Sequence, residues 1–256
     1  FRNAAGVPLE NVSRLSYGHP LEGMAEMIAD SSSGYEKPAA VLVEIIQAEG
    51  GVNIATQEWL KELRQFAKDT GALFIIDDIQ AGCGRTGKYF SFDGMGLDPD
   101  VICLAKGIGG YGTPLAMNLT KPEHDKHWSP GEHTGTFRGQ GLSFVAGREA
   151  LRYFEDDAFG AEVARKGEIM RTRLQDMAGA GSNSWEVRGK GMMQALDVVD
   201  GAFAKDVAAK SFQNGLLVGP CGSGGRVIKL IPPLTIPDED LDAGLKTLET
   251  IVREVA

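Results

Sequence analysis

With 256 residues, 43% of them hydrophobic and 24% charged, the chain has an ordinary globular composition and the length for one large domain or a large and a small one. A net charge of −9 with scattered basic residues excludes a nucleic-acid backbone as partner, and no apolar run approaches a membrane span. Cys83, Cys103 and Cys221 have no metal-ligand spacing, which points to packing roles in a reducing cytoplasm rather than to a disulfide framework.

The opening FRNAAGVPLENV lacks an initiator Met, matches neither a signal nor a transit peptide, and reads as the middle of a protein. Residues 11–17 suit a short strand closed by Gly18-His19-Pro20, and 21–29 a short helix. Ala40–Ile46 is a strong buried-strand candidate, with Gln47–Gly51 as the loop at its carboxyl end. Thr56 then caps a helix in which Trp59, Leu60, Leu63, Phe66 and Ala67 recur at helical spacing, and Gly71 ends it. Phe74–Ile76 and Val101–Leu104 are continuous apolar runs, the first ending in Asp77-Asp78 and the second leading to Lys106. Runs of that kind suit strands covered on both faces in a parallel α/β sheet. Residues 115–119 add a further strand.

Beyond His133 the pattern changes. Residues 142–154 and 161–177 are amphipathic helices, 186–198 reads as one strand interrupted by Gly189 and Gly191, and 202–214 is a helix stopped by Gly215. Short strands over 216–218 and 227–231 precede a final helix from Asp238, with Leu241, Leu245, Leu248, Val252 and Val255 along one face. These elements divide the chain into a large-domain part, residues 1–160, and a small α+β domain, residues 161–256.

Ligands of parallel sheets sit beyond the carboxyl ends of the strands, and Asp77 and Lys106 share that edge. An isolated pair of this kind would be read as a structural ion pair. The surroundings change that: Gln80, the glycine-rich run 81–87, Pro99-Asp100 before the second strand, and Gly107, Gly109 and Gly110 after the lysine. Glycines there let backbone approach a ligand closely.

This pattern resembles the core signature of the class III (ornithine/GABA-type) aminotransferases, which depend on pyridoxal 5′-phosphate; the 29-residue separation of Asp77 and Lys106 resembles their spacing too. The resemblance implies a fold type I transferase: an α/β large domain with a mostly parallel sheet flanked by helices, plus a small C-terminal α+β domain. It implies that Lys106 carries the cofactor and shuttles the proton, and that Asp77 lies beside the ring nitrogen and keeps it protonated by opposite charge. Gln80 would donate to the phenolic oxygen. Ile79 would pack on the ring face, although core packing explains it equally well. In the run His133–Gly139, Thr136 would reach the cofactor phosphate of a partner subunit, which implies a homodimer.

Glu44 and Glu49, in VEIIQAEGG, match the family's VEPIQGEGG. The residue matching Glu49 pairs there with an arginine that takes the carboxylate of a 2-oxo acid or glutamate. Here Lys229 stands at the arginine's position, and an ammonium cannot reproduce a bidentate fork. That leaves Arg138 or Arg226 as the alternative carboxylate partner.

Within the family, residues 2–9, 37–41, 77–80, 132–139 and 229–236 are most similar to the diaminobutyrate–2-oxoglutarate subgroup of ectoine biosynthesis. The expected reaction is amino transfer between L-2,4-diaminobutyrate and 2-oxoglutarate, both small molecules. The family's segment with the Ser/Gly-rich phosphate loop has no counterpart here, so the chain reads as N-terminally incomplete, either a truncated form or one part of a split enzyme. A non-catalytic scaffold or binding module that keeps the large-domain framework is the alternative from another class.

Overall fold

A computed structural model of the chain describes residues 11–136, 138–181 and 184–255; the stretch 2–9, Phe137 and the pair 182–183 lie outside the described residues. The first regular element is α1 (Met24–Ala29). No strand forms over 11–17, because no neighbouring strand lies there to complete a ladder among the described residues. Side chains fasten this segment instead: Tyr17 lies 5.3 Å from Trp59, ring centre to ring centre, and its hydroxyl donates to the Glu44 carbonyl.

β1 (Ala40–Glu44) is followed by a small hairpin, β2 (Ile46–Gln47) and β3 (Asn53–Ile54), then α2 (Gln57–Thr70) and β4 (Leu73–Asp77). Both ends of α2 are set as the sequence predicts. Thr56 Oγ1 accepts from the Trp59 N–H at 3.3 Å, and Gly71 takes the left-handed conformation at φ 74°. β5 (Val101–Leu104) and β6 (Met117–Thr120) complete a sheet of order β1-β4-β5-β6, in which β6 alone runs antiparallel. The strands are not covered on both faces as expected. Phe74 and Ile76 are fully buried, Leu73 and Ile75 half-buried, and Leu42 is 62% exposed. The reason is that α2 packs on one face of β1 and β4, and no described element covers Leu42 on the other.

After the single-turn α3 (Pro122–Asp125) come α4 (Gly141–Leu151), which runs into a 3-10 turn over Arg152–Phe154, and α5 (Ala158–Ala180). The single strand expected over 186–198 is a hairpin, β7 (Glu186–Lys190) and β8 (Met193–Asp197). Its turn holds Gly191 at φ 55°, where a Cβ would lie 2.5 Å from the Arg85 carbonyl oxygen; only glycine fits between the turn and that loop. α6 (Gly201–Gln213), β9 (Gly219–Cys221), β10 (Val227–Leu230) and α7 (Asp238–Val255) follow. The penultimate strand falls later than 216–218, with Leu217 in solvent, and Pro220 is tolerated because β9 is an edge.

The second sheet, β7-β8-β10-β9, is antiparallel throughout. One core lies under α2 and the first sheet and reaches Met193, Ala195 and Val227 of the second; another is enclosed by α5, α6, α7 and the second sheet. Each large side chain buried completely, such as Leu60, Phe74 or Leu196, contributes about 1.5–3 kcal/mol. No helix among the described residues is long and apolar enough to cross a membrane.

Candidate active site

Register places three side chains abreast at the carboxyl edge of the first sheet: Glu44 of β1 opposite Asp77 of β4, and Asp77 opposite Cys103 of β5. Lys106 follows on a 3-10 turn (Lys106–Gly109) whose Ile108 and Gly109 are buried. Lys106 itself adopts φ 52°, a conformation that L side chains rarely occupy and that clusters at functional sites. Its side chain is exposed toward a cavity of about 780 Å³, which Ile79, Gln80, Cys83, Arg85 and Tyr89 also line.

The Asp77 carboxylate is aimed by the backbone that follows it, with Oδ1 accepting from the Ile79 N–H at 3.0 Å. Glu44 senses both predicted catalytic residues. Burial raises its carboxyl above the usual range, and the charge of Asp77 adds to this; the Ala48 N–H, at 3.4 Å, and Lys106 pull the other way. The sequence pattern assigns Glu44 no role of its own. A carboxylate ending a strand that pairs directly with the Asp77 strand was the signal for it.

Asp78 belongs to the scaffold. It is fully buried, Oδ2 accepts from the Ser91 N–H at 3.0 Å, Oδ1 has no protein partner, and burial pushes the carboxyl up to about 6. Arg85, another residue not anticipated, donates from Nη1 to the carbonyls of Met192 and Pro232, and burial lowers its guanidinium to about 10. It thereby ties the glycine-rich loop to one end of the neighbouring sheet, just beyond the Gln194–Leu230 pair.

A second cluster is built across the two sheets. Lys229, 8% exposed in the middle of β10, donates to Glu49 Oε1 and, at 2.9 Å, to Gln80 Oε1. Gln80 Nε2 in turn donates to the same Glu49 oxygen at 3.1 Å. The bond from Lys229 holds the Glu49 carboxyl below its usual range. The ammonium therefore does pair with Glu49, and Gln80 supplies the second contact that a guanidinium fork would have made.

The other expected residues lie apart. Arg226 is engaged by Asp197 at 3.1 Å. Arg138 is exposed and donates to the His133 carbonyl at 3.2 Å within its own loop, where Thr136 is exposed too. Among the described residues, no hydrogen bond or ion pair joins Arg138 or Thr136 to Lys106, Gln80 or Glu49.

Residues 9–252 match the sequence profile of the family described as Aminotransferase class-III. The chain belongs to that family. It is 44% identical, over 99% of its length, to the diaminobutyrate–2-oxoglutarate transaminase of Bordetella parapertussis and 41% identical, also over 99%, to that of Sporosarcina pasteurii. It spans about 60% of these curated relatives, 60% of the first and 62% of the second. Among solved structures it resembles the ornithine aminotransferase of Plasmodium yoelii, with TM-score 0.81 and 28% identity over 96% of this chain and 64% of that one. The ornithine aminotransferase of Toxoplasma gondii gives TM-score 0.76 and 32% identity over 85% of this chain and 52% of that one.

The architecture is thus that of a fold type I transferase, as the sequence implies, and the cofactor of this class III aminotransferase is pyridoxal 5′-phosphate. The residues present fit such a group. An anchored carboxylate and an exposed amine share one sheet edge beside a cavity, with Ile79 and Gln80 on its wall.

Proposed function

We propose that the protein moves an amino group between L-2,4-diaminobutyrate and 2-oxoglutarate, as a cytoplasmic homodimer in which Thr136 reaches the partner's cofactor. In this reading residues 1–160 form the cofactor-bearing unit and residues 161–256 the smaller one. The observation that carries it is the shared edge of Asp77 and Lys106, with the Glu49–Gln80–Lys229 cluster beside it.

Pyridoxal phosphate, when bound, supplies the electron sink for the chemistry at the substrate carbon. The chain's own residues do the rest. The Lys106 amine would hold the cofactor, and the same amine would move a proton at the substrate carbon. The Asp77 carboxylate holds a proton on the ring nitrogen, and its bond from the Ile79 N–H keeps it in place. Lys229 is the buried cation suited to a substrate carboxylate, and Glu49 occupies it in the meantime.

Diaminobutyrate is favoured as donor by the names of the relatives at 41–44% identity; the ornithine enzymes among the solved structures are more distant, at 28–32%. The test is glutamate formation from 2-oxoglutarate with diaminobutyrate, ornithine or GABA as donor. We expect kcat/KM for diaminobutyrate to exceed that for ornithine by about tenfold or more, as a site fitted to one chain length allows. A preference for ornithine would replace the donor, and no glutamate from any donor would sink the reading.

A further inference from the structure

Glu49 is gripped from the second sheet on its backbone as well as on its carboxylate. The Glu49 carbonyl accepts from the Gly222 N–H at 3.0 Å, and a Cβ on Gly51 would lie 3.3 Å from the Gly222 Cα, so the two loops meet backbone to backbone. The Gly51 carbonyl accepts two bonds from Arg188, from Nη2 at 2.9 Å and from Nε at 3.3 Å. Arg188 is itself fixed. Its side chain is 18% exposed, Nη2 pairs at 3.0 Å with Asp197, and Asp197 is 3% exposed and accepts from the Val199 N–H at 3.0 Å.

The sheet register explains why these groups converge. Arg188 of β7 and Lys229 of β10 both stand opposite Ala195 of β8, so the three residues share one rung. Residues directly opposed across strands project from the same face, and the small Ala195 leaves the two cations side by side toward the Glu49–Gly51 loop. One cation holds the loop's backbone and the other holds its carboxylate.

We propose that Arg188 is a positioning residue that, by fastening the Gly51 carbonyl, keeps the Glu49 carboxylate closed over Lys229 and so sets how readily a ligand carboxylate displaces it. This rests on the reading that Lys229 receives a ligand carboxylate. Glu49 and the incoming carboxylate compete for one ammonium. Lys229 is held by β10, independently of the loop, so loosening the loop weakens the competitor and spares the acceptor. The sign follows: a variant that loosens the loop binds dicarboxylates more tightly. A general structural defect would do the reverse.

The test is calorimetric binding of glutarate, a dicarboxylate with no amino or keto group, to the cofactor-loaded protein. Arg188→Lys keeps a cation for Asp197 but loses the fork on Gly51, and should tighten glutarate about fivefold, the size expected for about one net hydrogen bond. Arg226→Gln is the control, since Arg226 pairs with the same Asp197 and makes no bond to Gly51; it should leave the affinity unchanged. Should Arg188→Lys not fold, Arg188→Gln serves, because Arg226 still faces Asp197. Unchanged or weaker binding in the Arg188 variant, or the same gain in Arg226→Gln, overturns the proposal. Lys229→Met separates the two ideas. It should lose glutarate binding, and if binding persists, the carboxylate reading of Lys229 falls first.

Discussion

The two sheets divide the work unequally. In the parallel part of the first sheet, the carboxyl ends of β1, β4 and β5 present Glu44, Asp77 and, just beyond Cys103, Lys106, while the edge strand β1 leaves Leu42 in solvent. In the second sheet every residue of β8 and β10 is buried, and Lys229 projects its ammonium from the middle of its strand. The difference follows from strand direction. Parallel strands gather their carboxyl ends, and the loops leaving them, at one edge, which can be open and reactive. Antiparallel strands alternate their ends, so a functional group on that sheet must project from its face, and a charged one needs partners already in place. Glu49 and Gln80 are those partners for Lys229.

The sharpest way to break this comparison is Lys106→Ala. It should abolish borohydride-fixable cofactor, read as protein mass, and lower amino transfer on the order of a thousandfold or more, with an unchanged denaturation midpoint. Loss of stability on the same scale would mean that the first sheet's edge is scaffold after all. The converse is Leu196→Ala in β8, 0% exposed at the centre of the second sheet. It should lower the unfolding free energy by about 4 kcal/mol in a urea titration while fixable cofactor in the folded fraction is retained.

A finer test uses pH. Asp78 is raised from 3.8 to about 6, so the folded state binds its proton more tightly than the unfolded one. That contribution is fully present below pH 3.8 and is lost as pH rises through about 6. Relative to Asp78→Asn, wild-type stability should therefore fall by up to about 3 kcal/mol over that window. Parallel stability curves for the two proteins would show that Asp78 is not held protonated by its burial.

Much of this was legible in the residues themselves. The α2 caps and the strands β4 and β5, with Asp77 and Lys106 at their carboxyl ends, are local patterns that the structure repeats, although the two strands are covered less completely than expected. Where the reading slipped, the deciding partner was distant in sequence. The 186–198 segment reads as one strand until Gly191 must fit against the Arg85 loop. Residues 11–17 look extended but have no neighbour to pair with, and Trp59 and Glu44 hold Tyr17 instead. Arg226 was a reasonable carboxylate partner until the chain brought Asp197 to it.

The sequence by itself determined the family, the cofactor and which strand ends carry an acid and an amine, because each rests on residues close together along the chain. Only the tertiary structure decided how Lys229 is partnered. Its two acceptors lie 180 and 149 positions away, and an ammonium in the middle of a buried strand is tolerable only when folding delivers them.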